Sequence, residues 1–200
     1  PDLDDTTIIV SWPWNISVAR TRIIDFDKDS DFDIVTNAVV YPNSQVKIIE
    51  NDSLDFYTFK TFTYTTLPSH FDGLGVSDFN SDGFMDIMVG LERFFPWGAN
   101  GFYWFKNDSG TAFSSMSLIY SIDDYTDGAD VADFDLNGYS DIIGGWSDVG
   151  YISQVSSGVY TDIELVDEPG KNIHFGRVLQ FDCSCGKPAP DFYYTVGNNY

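Results

Sequence analysis

Residues 25–35 read DFDKDSDFDIV, residues 78–88 read DFNSDGFMDIM and residues 133–143 read DFDLNGYSDII. Superimposed, they give Asp-Phe-[Asp/Asn]-x-[Asp/Asn]-[Gly/Ser]-x-x-Asp, followed by two apolar residues. Oxygen-bearing side chains at alternate positions around a tight turn are how a chain wraps a hard cation. The first Asp of each cassette lies 53 and then 55 residues after the one before it, at Asp25, Asp78 and Asp133. Such regular intervals belong to an architectural repeat rather than to scattered sites.

Between the cassettes, β-branched and aromatic residues alternate with polar ones, and Gly, Asn, Asp and Ser punctuate the runs. FYTFKTFTYTT, from Phe56 to Thr66, is one such stretch. This is a strand pattern, and no stretch carries the sustained three-and-four spacing of an amphipathic helix. The second repeat has room for four strands: Leu74 to Val76, Met85 to Leu91 after the cassette, Gly101 to Asn107, and Ala112 to Tyr120. The third reads the same way, with Tyr151 to Val155 and Tyr160 to Val166 as its outer strands. Four antiparallel strands per unit of this length predict an all-β fold, a β-propeller of four-stranded antiparallel blades.

The expected units are residues 16–67, 68–122, 123–169 and 170–200 of a single domain, with 1–15 as a stray strand (Thr6 to Trp14) that completes a neighbouring or closing blade. The fourth unit is degenerate. Phe181, Asp182, Asp191 and Phe192 keep the pattern, but Gln180 stands at the first ligand position and CSCGKPAP adds three residues. The chain is then either a small four-bladed ring or a fragment of a larger propeller. One stray strand is too few for a blade that lacks two, which favours the fragment. A start at Pro1 without a leader fits a processed or excised piece.

Composition narrows the function classes. Of 31 acidic residues, 27 are Asp, and the net charge is -21. Thirteen of those Asp lie in the cassettes and their degenerate copy, so bound metal would neutralise much of the charge. Ten scattered Lys and Arg make no phosphate-binding stripe, so no nucleic-acid partner is expected. No apolar run is long enough to span a membrane.

An EF-hand also begins D-x-[DN]-x-[DN]-G, but it needs a bidentate Glu at position twelve and flanking helices. Position twelve here is Thr36, Val89 and Gly144, and the flanks read as strands. A carboxylate instead closes each loop at position nine. On a repeat of this length, the pattern resembles the FG-GAP or VCBS-type repeats of calcium-binding β-propellers, a class that includes the integrin α headpiece and several propeller lectins. The likeness runs from about Val18 to Tyr200.

The resemblance implies about three structural Ca2+ ions. Their side-chain ligands would be Asp25, Asp27, Asp29 and Asp33; Asp78, Asn80, Asp82 and Asp86; and Asp133, Asp135, Asn137 and Asp141. A backbone carbonyl near Asp31, Phe84 or Tyr139 would complete each shell. A flexible all-oxygen loop suits calcium better than magnesium. Gly83 and Gly138 permit the turn at position six, while Ser30 departs from that pattern and singles out the first loop as the least conforming.

Catalysis has little to work with. His70 and His174 both precede Phe near their cassettes and read as packing residues, so the chain is expected not to be an enzyme. Cys183 and Cys185 can form a local disulfide, stay free or pair between chains. Asn15, Asn51 and Asn107 head N-x-Ser sequons and are glycosylation candidates in a secreted protein. In propellers of the resembled class, second-to-third strand connections lie opposite the calcium turns. Here those connections carry Tyr41, Phe94, Phe95, Trp97 and Trp146, suited to stacking on a sugar or to a protein hot spot. The expected function is non-catalytic adhesion, binding or assembly by an extracellular or cell-surface protein, whose partner is a protein or glycan ligand or a neighbouring subunit of a surface assembly. The alternatives are a lectin using the aromatic loops and an appendage of a secreted enzyme.

Overall fold

Residues that alternate apolar with polar favour a pleated chain with one face turned to a neighbouring layer, and this chain is folded that way. The computed structural model describes residues 16–40, 43–51, 59–67, 70–92, 100–108, 112–122, 126, 128–145, 149–166, 171–179 and 191–198. No helix occurs among them, and so none that could cross a membrane.

Three sheets are antiparallel meanders of four strands each. The first comprises β1 (Ile16–Ile24), β2 (Asp33–Val40), β3 (Asn43–Asn51) and β4 (Phe59–Leu67). The second comprises β5 (His70–Ser77), β6 (Asp86–Glu92), β7 (Gly101–Phe105) and β8 (Ser117–Ser121). The third comprises β9 (Ala129–Ala132), β10 (Asp141–Gly145), β11 (Val149–Ser156) and β12 (Val159–Val166). A two-stranded sheet, β13 (Lys171–Leu179) with β14 (Asp191–Asn198), follows.

Each cassette is the turn between the first and second strand of its sheet. Register places its ninth residue opposite the residue before the loop: Ile24 faces Asp33, Ser77 faces Asp86 and Ala132 faces Asp141. Leu179 faces Asp191 in the same way, so the fourth unit keeps the hairpin around a loop three residues longer. His70 and His174 both lie in first strands, opposite Glu92 and Thr195.

Two strand expectations change. The first strand of the second sheet extends well beyond Leu74 to Val76. Its fourth strand is confined to Ser117–Ser121, because Phe113 makes only an isolated bridge to Asn107. Hydrogen bonds from Asp108 N–H to Ala112 O (2.9 Å) and from Ser114 N–H to Lys106 O (2.7 Å) flank that bridge.

The first strands stand side by side, β1 against β5, β5 against β9 and β9 against β13. Their sheets are therefore stacked as the blades of a β-propeller. One apolar layer, including Val35, Ile48, Phe71, Leu74 and Val89, fills the wedge between the first two sheets. A second, including Met88, Phe102, Ala129, Ile142 and Ile152, fills the next wedge. The approach of β5 to β9 requires glycine, since a Cβ on Gly75 would lie 2.5 Å from Val131 Cγ1. Polar ties cross the blades as well. Asn37 Nδ2 on β2 donates to Phe71 O and Gly73 O on β5 (3.2 Å each), and Arg22 on β1 pairs with Asp130 on β9 at 3.0 Å.

Candidate metal centre

The second and third cassettes fold by one set of hydrogen bonds, and the first shares it except for the position-five N–H bond to position one. At position one, Asp78 accepts from the N–H of Asp82 (3.1 Å) and of Gly83 (2.8 Å), and Asp133 accepts from Asn137 (3.0 Å) and Gly138 (2.9 Å). Position three accepts from the position-five N–H: Asp29 to Asp27 (3.2 Å), Asp82 to Asn80 (3.0 Å) and Asn137 to Asp135 (3.0 Å). Position five accepts from position seven: Asp31 to Asp29 (2.8 Å), Phe84 to Asp82 (3.0 Å) and Tyr139 to Asn137 (2.8 Å). These nested turns, the kind short polar side chains favour, fold the ligand-type side chains inward over the loop.

Position nine is built differently. Asp33, Asp86 and Asp141 are 1%, 0% and 0% exposed. In each, Oδ2 accepts the position-two N–H: Phe26 at 2.7 Å, Phe79 at 3.1 Å and Phe134 at 2.8 Å. Oδ1 accepts an N–H at the end of the third strand: Asn51 at 2.8 Å, Asn107 at 2.7 Å and Gln154 at 2.9 Å. The carboxylate thus clamps loop to sheet. Burial pushes the Asp86 carboxyl up to about 6, against two stabilising N–H bonds and with the charges of Asp82 and Asp78 adding to the rise. Asp141 is raised for the same first reason.

The Phe at position two is the residue whose role sequence reasoning missed. Phe26 and Phe79 are 2% and 1% exposed, each sunk in a wedge between sheets. Phe79 meets Trp104 edge-on at 6.1 Å, and Phe134 meets Tyr151 at 5.8 Å. Its invariance across the three cassettes was the available signal.

The acidic ligand candidates converge in two of the loops. One carboxylate oxygen each from Asp25, Asp27 and Asp33 lies within 4.8 Å of the others, and so do oxygens of Asp133, Asp135 and Asp141. In the first loop, Asp25 Oδ1 is a buried atom with no hydrogen-bond partner, while Oδ2 accepts from Ser30 N–H at 3.2 Å. An all-oxygen set of carboxylates with one orphaned, buried oxygen fits a hard cation. Burial, with the charges of Asp29, Asp33 and Asp25, raises the Asp27 carboxyl even though the Asp29 N–H lowers it. In the second loop, Asn80 Nδ2 donates to Asp82 Oδ2 at 2.8 Å, and Lys106 Nζ stands 3.7 Å from that oxygen. In the third, Ser153 Oγ donates to Asp135 Oδ2 at 2.9 Å.

Ser30 takes φ 84, beside 95 for Gly83 and 91 for Gly138, and the first loop keeps the bonds to positions three and five, while at position one only the Ser30 N–H reaches Asp25. Asn107 is 1% exposed and its Nδ2 donates to Met85 O at 3.1 Å, so a glycan on that nitrogen is incompatible with the packing. Asn51 is half-buried. Asn15, Tyr41, Phe94, Phe95, Trp97, Trp146, Cys183, Cys185 and the Thr6–Trp14 segment lie outside the described residues.

Residues 78–144 match the family model of the FG-GAP-like repeat. The match runs from the second cassette to the strand that follows the third, and that part of the chain is an FG-GAP-type repeat. No curated protein and no solved structure matches the chain.

Proposed function

We propose that the chain is a calcium-stabilised, non-catalytic β-propeller module that acts outside the cell in adhesion, binding or the assembly of a surface structure. The observation that carries this reading is the same oxygen-rich loop folded three times at the same blade junction, with three carboxylate oxygens gathered within 4.8 Å in the first and third. Calcium suits such loops because it accepts many oxygen ligands in flexible geometry, and millimolar extracellular calcium fills loops whose ligands are partly exposed. A structural role for the ions agrees with ligands that also hold the turn through the chain's own N–H groups.

The test is native mass spectrometry of the whole chain before and after chelation, paired with melting curves. Calcium bound in whole-number stoichiometry, with a melting point that falls on chelation, is expected. Zero calcium and coincident curves refute the reading. The loaded protein screened on arrayed extracellular proteins and glycans then separates adhesion from sugar binding.

A further inference from the structure

We infer that the three loops form a graded series in which the second binds its cation most weakly, because two lysines already place ammonium groups on it. The inference rests on the calcium reading above and adds an order of filling that the repeat itself does not imply. It comes from the residue at one register position. Immediately before the residue whose N–H reaches the position-nine carboxylate stands Glu50 in the first sheet, Lys106 in the second and Ser153 in the third. In the third sheet that residue supports a ligand candidate, since Ser153 Oγ donates to Asp135 Oδ2. In the second it competes for one. Lys106 Nζ lies 3.7 Å from Asp82 Oδ2 and 3.1 Å from Asp108 Oδ1, which hold the ammonium at the rim of the loop.

The first loop contributes the other cation. Lys28, at its fourth position, extends its ammonium to Gly83 O of the second loop at 2.5 Å. Charge within the loops runs the same way. Four Asp occupy the ligand positions of the first, whereas Asn80 and Asn137 each replace one in the second and third. The second loop therefore combines a reduced carboxylate count with two nearby positive charges. A divalent ion entering it meets repulsion that falls off only over the screening length, about 10 Å at 0.1 M salt.

Calcium titration of the full chain at low ionic strength, read as the population of one-, two- and three-ion species by native mass spectrometry, tests this. The wild type should take up two ions and then a third at about tenfold higher free calcium, the size of effect that one nearby ammonium exerts in a water-like dielectric. Lys106→Ser, which installs the residue of the third sheet, should narrow that gap, and Lys106→Ser combined with Lys28→Ser should close it. Asp78→Asn should delete only the weak step. Lys106 is partly exposed, so its replacement should leave the far-UV circular dichroism unchanged. Three ions taken up at one affinity, or a gap that survives replacement of both lysines, overturns the inference and leaves the calcium reading standing. No calcium at any loop overturns both.

Discussion

Asp82 and Asp86 are four residues apart in the same loop and would count equally as ligands in a motif, yet they occupy opposite environments. Asp86 is fully buried, receives two backbone N–H groups, and has its carboxyl pushed up to about 6, chiefly by burial. Asp82 is exposed. The slight burial that would raise it is outweighed by the Phe84 N–H, the Asn80 amide and Lys106, so its carboxyl sits below the usual range. One acid is tied into the fold by backbone N–H groups, and the other is open to solvent and to a cation. A cassette that looks like a single metal-binding unit is a buried clamp joined to an open cradle.

Breaking the clamp should produce the largest effect. Asp86→Ala leaves the N–H groups of Phe79 and Asn107 without their acceptor, and each buried, unpaired donor costs about 1–3 kcal/mol. The raised carboxyl shows that burial of the charge is not fully compensated, so the net loss falls below the sum, at about 3 kcal/mol. Urea unfolding should show that loss in calcium and in chelator alike. If Asp86→Ala matches the wild type whenever calcium is absent, the residue is a ligand and no clamp exists.

Breaking the cradle should act only through the ion. Binding to the native state alone adds about 2.7 kcal/mol per site at a hundredfold excess over Kd. Chelation should remove that increment for each filled loop. Asp135→Ala should remove it for the third loop only, and in chelator should differ from wild type by about 0.5 kcal/mol or less, as for a surface substitution. A larger loss in chelator would mean that the hydrogen bond from Ser153 to Asp135 stabilises the fold without metal.

What the sequence made legible follows from this division. Oxygen-bearing residues at alternate positions and a regular interval are local patterns, so the loops, the all-β class and the four-strand units could be read directly. Register even carried the reading into the degenerate unit, where Asp191 faces Leu179. The clamp could not be read: position nine is Asp in all three cassettes where position five is Asp or Asn, but that difference does not tell a buried acceptor from an open ligand. Its acceptor role depends on the end of the third strand, whose N–H comes from Asn51, Asn107 or Gln154, many residues further along the chain. Burial of Asn107 was hidden for the same reason, since the sequon is local and the contact with Met85 O is not. The β5–β9 approach that Gly75 permits lies between blades, where repeat periodicity is silent.

The smallest effect sharpens the contrast within the cradle, between position six and position four. Glycine occupies position six in two loops, as sequence reasoning expects for a left-handed turn. Position four is equally left-handed in all three, at φ 65 for Lys28, 61 for Ser81 and 59 for Leu136, yet none of these is glycine. A non-glycine residue there costs about 1–2 kcal/mol, offset in part by the greater freedom glycine has in the unfolded chain. Leu136 is 49% exposed, so little packing is lost with its side chain. Leu136→Gly should therefore stabilise the chelated protein by about 0.5–1 kcal/mol, and Ser30→Gly by a similar amount. Gly138→Ala should cost about as much, even though nothing lies within 4 Å of where its Cβ would stand. A Leu136→Gly variant with a lower urea midpoint than wild type would show that the exposed leucine is held by contacts worth more than the strained backbone it imposes.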